Sequence, residues 1–278
     1  MKDLINNSIQ LLRRAEKLAL MLNPNGYYLA FSGGKDSQAI LELAKMAGVK
    51  FRAIYNATTN DPADNVRFIR SHYPDVTIEC PPYSFIKLIE KKGLPTQKTR
   101  WCCEIFKERT GKGNVVLTGV RRDESIKRSK YTTLEKKARK KTDKTSLDID
   151  NMENNEFRCI QGTDTIDLYP ILEWKEHHVW EFLKIRQLPL NPCYKTQRRV
   201  GCQFCPFMKK KEILYHMAQN PKLTAALKKH VQAYLDKPRN YPTKLSKLST
   251  VDEVIDWWLS KDSVDNYLKK KQQYELKF

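Results

Sequence analysis

The chain has 278 residues, enough for one large core or for a core domain with an appendage. Hydrophobic residues make up 40% and aromatics 10%, which excludes a disordered chain, and no apolar run approaches the ~20 residues that span a bilayer. A formal net charge of +19 implies an anionic partner, a nucleotide at least and a nucleic acid at the larger end, or else a basic face that serves only solubility.

In chain order, MKDLINNSIQLLRRAEKLALML places Leu4, Ile5, Leu11, Leu12, Ala15, Leu18, Ala19 and Leu22 at helical spacing. Its charges are scattered and it has no small-residue cleavage site, so it is expected to be an amphipathic helix of a cytoplasmic protein. Asn23-Pro24-Asn25-Gly26 is a turn, Tyr27–Phe31 a short buried strand, and Lys35–Gly48 a helix closed by its glycine. Lys50–Tyr55 is a second strand, followed by a helix over Pro62–His72 with Asp61 as its cap. A weaker strand, Val76–Glu79, precedes helices at Tyr83–Lys92 and Glu104–Arg109 and a strand at Asn114–Thr118. Strands alternating with helices of this length predict an α/β fold, a parallel sheet with helices on both faces.

From Arg121 to Lys144 basic residues outnumber acidic ones roughly three to one, with few large apolar residues. This predicts a surface excursion, continued by the polar stretch to about residue 156. Order is expected to resume at Phe157, with Ile166–Ile171 a strand or strand end and Lys175–Gln187 a helix. Leu188–Pro206 reads as a loop and Phe207–Phe278 as mostly helical and lysine-rich. The expected division is a nucleotide-binding domain over 1–206 and a helical C-terminal extension over 207–278.

SGGKDS, residues 32–37, follows a buried strand and opens a helix, the place where an anion site is expected. Gly33 and Gly34 let the backbone approach a phosphate, Lys35 adds a full charge to the helix terminus, and Ser32 and Ser37 offer hydroxyls. Asp36 either caps the first turn or reaches a Mg²⁺ ion. The motif is not the longer G-x-x-x-x-G-K-[ST] loop.

The seven cysteines, an odd number, argue against a disulfide framework. Cys202 and Cys205 in GCQFCP have the spacing that turns two sulfurs toward one centre; Cys102 and Cys103 in RWCCEIFK supply further thiols, and Cys193 lies upstream on the same loop. Such a set fits a [4Fe–4S] cluster or a Cys₄ Zn²⁺ site. Adjacent cysteines strain a tetrahedral ion and suit a cluster, whose ligands bind separate irons. Cys80 and Cys159 read as buried structural thiols. His177 and His178 read as surface residues, and Trp174, Trp180, Trp257 and Trp258 as core or interface anchors.

SGGKDS resembles the pyrophosphate loop of the adenine nucleotide alpha-hydrolase superfamily. RWCCEIFK, LTGVRRDESIKR and YPILEWKEHHVWEFLKIRQLPLNPCYKTQRRVGCQFCP resemble, in the same order, segments of the iron–sulfur APS/PAPS reductases, so that the likeness covers roughly residues 27–210. It implies a Rossmann-like sheet and an adenine nucleotide whose phosphates are held by Ser32–Ser37, Arg121 and Arg128, with Lys35 and Asp36 catalytic. It further implies a [4Fe–4S] cluster on Cys102, Cys103, Cys202 and Cys205, with Cys193 a substitute for one of the adjacent pair. The reductases' nucleophilic cysteine in a tail segment has no counterpart after Cys205. The expectation therefore moves to the related branch that uses ATP with Mg²⁺ to activate an acceptor for sulfur transfer. The acceptor is expected to be a nucleic acid or another anion, served by a sulfur- or electron-donor protein. A sulfonucleotide reductase with a displaced or external thiol is the second expectation, and a non-catalytic nucleotide or nucleic-acid module the third.

Overall fold

A computed structural model of the protein describes residues 1–108, 110–137, 144–147, 165–238 and 244–275. Its helices and strands, in order, are α1 (Lys2–Leu22), β1 (Tyr27–Ala30), α2 (Lys35–Ala47), β2 (Phe51–Asn56), α3 (Ala63–His72), β3 (Thr77–Glu79), α4 (Phe85–Lys92) and α5 (Trp101–Cys103). There follow β4 (Val115–Leu117), β5 (Leu134–Lys137), β6 (Lys144–Ser146), β7 (Ile166–Leu168), α6 (Glu176–Ile185), α7 (Lys210–Gln219), α8 (Pro221–Leu235), α9 (Val251–Ser260) and α10 (Val264–Glu275).

One sheet runs in the order β3-β2-β1-β4-β7-β5-β6. Its first five strands are parallel, as the alternation of strands and helices requires, and together they make the Rossmann-like α/β core. The excursion expected after Arg121 departs from its description. Part of it is strand β5, which pairs antiparallel with β7 and β6, burying Leu134 and Glu135. Charge density hid a strand in which one leucine faces the core and the glutamate is satisfied by hydrogen bonds from Tyr169 (3.1 Å) and the Thr132 amide (3.2 Å). Residues 138–143 and 148–164, with Cys159 and the order expected from Phe157, lie outside the described residues.

Chain contacts divide the molecule into two compact units, and the division does not fall at 206. The first comprises residues 1–56, 63–79 and 109–200; the second comprises 57–62, 80–108 and 201–278. The helical C-terminal segment thus builds its core together with two excursions from the nucleotide-binding sequence. No periodicity or composition shift marks such interleaving.

In the first unit α1 buries Leu12, Ala15, Leu18 and Ala19 of the stripe that its spacing predicts, together with Ser8. In the second, Phe85, Ile86, Leu88 and Ile89 of α4 join Leu227 and Val231 of α8 and Val254, Ile255, Trp258 and Leu259 of α9 in one cluster. Asp61 does not cap α3, since its carboxylate accepts the Thr58 amide at 2.6 Å. The helix expected from Glu104 starts earlier, at Trp101, and widens into a π-helical turn over Glu104–Glu108. Among the described residues no helix is long and apolar enough to cross a membrane.

Ser8 tests how the first unit is held. Its buried hydroxyl donates to the Pro170 carbonyl at 2.7 Å and accepts from Trp174 Nε1 at 3.2 Å. Ser8→Ala leaves both groups without that partner, at a cost of about 1–3 kcal/mol. Urea titration is expected to show a lower midpoint with an unchanged slope; an unchanged midpoint would mean that the contact carries no stability.

Candidate functional site

β1 lies between β2 and β4, both parallel to it, so the chain leaves its carboxyl end at the point where the strand order reverses. That exit is Ser32–Ser37. Three successive carbonyls of this loop are turned into the protein. Ser32 O accepts from Asn65 Nδ2 (3.1 Å), Gly33 O from Asn191 Nδ2 (2.9 Å) and Gln38 Nε2 (3.2 Å), and Gly34 O from Ser37 Oγ (2.8 Å). In a trans peptide the carbonyl and the following N–H point opposite ways. The amides of Gly33, Gly34 and Lys35 therefore face away from those anchors, on the side where an anion would sit; there the Gly34 amide donates to Ser32 Oγ at 3.3 Å and the Lys35 amide to Tyr194 Oη at 2.7 Å. Gly33 has φ +76°, and a Cβ there would stand 2.4 Å from Asn65 Oδ1. Gly34, at φ −82°, would meet nothing nearer than 3.4 Å.

The charges are paired around Asp36. Its carboxylate takes Lys35 Nζ at 3.0 Å and Arg121 Nε at 2.8 Å, so it acts as the hub of an ion-pair network and does not cap α2. Lys35 also lies 3.5 Å from Glu176 and 5.7 Å from the Trp180 ring centre, which assigns Trp180 to the site and not to the core. Arg121, 3% exposed, binds Asp123 at 2.6 Å as well. Arg128 pairs with Glu124; burial and the neighbouring Arg199 lower its pKa. Lys35 and Arg121 are thus buried cations whose compensation is local, and removing one partner of such a pair typically costs about 3–5 kcal/mol. His177 is exposed, and His178 Nδ1 accepts the Lys175 amide at the start of α6.

The other thiols gather in the second unit. Trp101 and Phe204, each immediately before a cysteine of interest, are buried in the same hydrophobic cluster, and Trp101 stacks on Phe85 with centroids 5.6 Å apart. Burying these two rings draws Cys102–Cys103 and Cys202–Cys205 together. The GCQFCP turn is held by the loop before Pro62: Asn60 O accepts from the Gln203 amide at 2.7 Å, Asn60 Oδ1 from the Phe204 amide at 3.2 Å, and Asp61 O from Gln203 Nε2 at 3.0 Å. Thr59, at φ +58°, accepts the first amide of α4 at 2.7 Å; a β-branched residue in that region is strained. Thr58 Oγ1 stands 3.5 Å from Cys202 Sγ.

All four thiols are half-buried. A hydrogen bond with Cys103, burial and the other thiols raise the Cys102 pKa. The same bond, Lys107 and Arg100 bring Cys103 down to about 6. Burial and the Cys202 and Cys103 charges raise Cys205, whereas Cys202, Asp61, Cys103 and Cys205 raise Lys107 and hold its ammonium charged. Among the described residues no three His, Cys, Asp or Glu side chains converge on a position for a single metal ion. Cys193 belongs to the first unit, where burial and Asp64 raise its pKa to about 11. Cys80 is exposed and is not the buried structural thiol expected of it.

Asn65, Asn191, Gln38, Glu176, Trp180 and Tyr194 escaped sequence reading, as did the Thr58–Asp61 loop. The adjacent polar run TTNDP and the N-P pair at 191–192 were the available signals, and both read equally well as ordinary turns.

The chain belongs to the phosphoadenosine phosphosulfate reductase domain family, whose pattern matches residues 26–208. It is 30% identical to an uncharacterized protein of Methanocaldococcus jannaschii over 188 residues, 64% of this chain and 40% of that one, and so spans less than half of that relative's length. It is 23% identical over 219 residues to sulfate adenylyltransferase subunit 2 of Aliarcobacter butzleri, 72% of this chain and 68% of that one. Among solved structures, phosphoadenylyl-sulfate reductase from Candida auris in a phosphate complex is similar at a TM-score of 0.45 and 17% identity, covering 70% of this chain and 88% of that one. FMN adenylyltransferase of Candida glabrata gives a TM-score of 0.45 at 14% identity, covering 72% and 60%.

The two loop glycines make opposite predictions. Gly33→Ala meets both a left-handed backbone and Asn65, and is expected to lower the melting temperature by several degrees. Gly34→Ala is sterically admissible and is expected to fold normally. Its methyl group nevertheless fills the space over the loop, so calorimetry is expected to show at least ~10-fold weaker binding of inorganic pyrophosphate. Undiminished binding by Gly34→Ala would remove the anion from that space.

Proposed function

We propose that the chain is an ATP-using enzyme that adenylylates an acceptor and so prepares it for sulfur transfer, the acceptor being a nucleic acid. The observation that carries this reading is the Ser32–Ser37 loop, with three inward carbonyls and with Lys35, Asp36 and Arg121 linked at its mouth. The relative named sulfate adenylyltransferase subunit 2 supports attack at the α-phosphate.

In this reading an acceptor oxygen attacks the α-phosphorus, the bond to the bridging oxygen breaks, and pyrophosphate leaves. The loop amides, Lys35 and Arg121 stabilise the charge on the departing group. Mg²⁺ arriving with ATP would neutralise part of the same charge, next to Asp36. A donor protein's persulfide then attacks the activated carbon, and AMP leaves with the acceptor's oxygen. A thiol cleaves the remaining S–S bond, leaving sulfur on the acceptor and a disulfide on the donor side.

The donor set of Cys102, Cys103, Cys202 and Cys205 suits a thiolate-ligated group with several corners better than one tetrahedral ion, because two of its sulfurs are on adjacent residues and the four come from two segments. Held there, a [4Fe–4S] cluster would supply electron or sulfide-handling chemistry. Lys107 and Arg100 offset the negative charge that such ligation concentrates. A nucleic-acid acceptor agrees with the net charge of +19 and with exposed lysines such as Lys209, Lys210 and Lys211.

A second reading, sulfonucleotide reduction, draws on the family and on the exposed Cys80, a described thiol outside the four that solvent reaches. The two separate by product. Protein purified without oxygen is given ATP, APS or PAPS in parallel. The proposal expects AMP and pyrophosphate from ATP, stimulated by RNA or DNA and reduced at least ~100-fold in Lys35→Ala. Sulfite from APS or PAPS, with ATP untouched, would establish the second reading in its place.

A further inference from the structure

Tyr194 stands on the short 3₁₀ turn Pro192–Lys195, and its phenol oxygen accepts the Lys35 amide, the first of α2, at 2.7 Å. Its ring meets Trp180 edge-on, with centroids 5.0 Å apart. A phenol carries one proton and can accept as well as donate. The amide takes an acceptor position, and the proton is left. Burial, with Asp36 and Glu176 nearby, raises the phenol's pKa, so that proton is retained at neutral pH. A methyl group built on Gly34 would find Ser32 Oγ and Tyr194 Oη each at 3.4 Å. Two hydroxyls therefore flank the same small volume over the loop.

We propose that Tyr194 is a ligand-binding residue of the phosphate loop, whose hydroxyl rests on the Lys35 amide and donates its own proton to a phosphoryl oxygen seated over Gly34. The proposal rests on the reading of Ser32–Ser37 as an anion cradle and adds to it a neutral donor 159 residues beyond Lys35 in the sequence. The alternative, in which the phenol is a plug that an incoming phosphate must expel, requires Tyr194 to move independently of the loop. Asn191 opposes this. Its Oδ1 accepts the Cys193 amide at 3.0 Å and so fixes the turn that carries Tyr194, while its Nδ2 holds the Gly33 carbonyl. Loop and tyrosine are tied to one buried side chain. The ligand is an oxyanion of the phosphoanhydride or phosphosulfate class, which presents unesterified oxygens near a ribose-linked phosphorus.

Tyr194→Phe keeps the ring and its Trp180 contact and removes only the hydroxyl. Titration of the full chain with inorganic pyrophosphate, followed by calorimetry, is expected to show ~10- to 100-fold weaker binding than wild type, the loss typical of a hydrogen bond to a charged group. Ultraviolet difference spectra provide a second readout that helix capping alone would not move. Pyrophosphate is expected to shift a tyrosine absorption band in wild type and not in Tyr194→Phe. Equal affinity in the two proteins overturns the inference while leaving the cradle standing, and tighter binding by Tyr194→Phe identifies the phenol as a plug. A wild type that binds no pyrophosphate overturns the inference and the cradle together.

Discussion

Two buried amide side chains fix the Ser32–Ser37 loop, the proposed anion site. Asn65 and Asn191 are 3% and 0% exposed and are hydrogen-bonded to each other at 2.7 Å. Between them they hold the Ser32 and Gly33 carbonyls and the amide of Cys193, so that β1, α3 and the turn at 192–195 meet in one hydrogen-bond knot. In a buried setting each unmet polar group costs about 1–3 kcal/mol, so the knot is either complete or strongly disfavoured. That constraint turns a glycine-containing bend into a surface of outward amides before any ligand arrives. Preorganisation of this kind stabilises developing charge without a reorganisation cost at the moment of reaction.

The second unit solves a different problem by different means. Four thiols that would repel as thiolates must be kept near one another. Apolar burial does the gathering, through Trp101 and Phe204, and the Asn60 backbone and side chain set the turn between Cys202 and Cys205. The hydrogen bond with Cys102, and then Lys107 and Arg100, lower the Cys103 pKa. Trp101 directly before Cys102 and Phe204 directly before Cys205 are buried, while the sulfur next to each stays half-exposed.

Much of the first unit was legible. The strand–loop–helix at Tyr27–Ala47 and the parallel alternation follow from patterns local in sequence, where hydrophobic period and turn chemistry act over a few residues. What was not legible lies in pairings across long separations. Asn191 and Gly33 are 158 residues apart, and nothing in NPCYK announces that its asparagine and tyrosine serve a loop near the start of the chain. The strand at Leu134–Lys137 was hidden for another reason: Glu135, Lys136 and Lys137 are three charged residues in a row, which hydropathy scores as solvent, although the glutamate is buried beside Tyr169. Cys80 was misjudged because its position after a strand suggested burial, yet β3 is an edge strand whose Thr77 and Glu79 are already exposed. Cys193 shared a loop with Cys202 in the sequence but folds into the other unit.

The central claim is that the outward amides of Gly33 and Gly34, on a loop held by Asn191, receive an anion beside the Tyr194 hydroxyl that occupies the Lys35 amide. Backbone amide NMR during titration with inorganic pyrophosphate tests this most directly. The Gly33 and Gly34 amides are expected to shift downfield and exchange more slowly as pyrophosphate is added, and the response is expected to disappear in a folded Asn191→Ala variant. Pyrophosphate binding that perturbs other amides and leaves these two unmoved would contradict it.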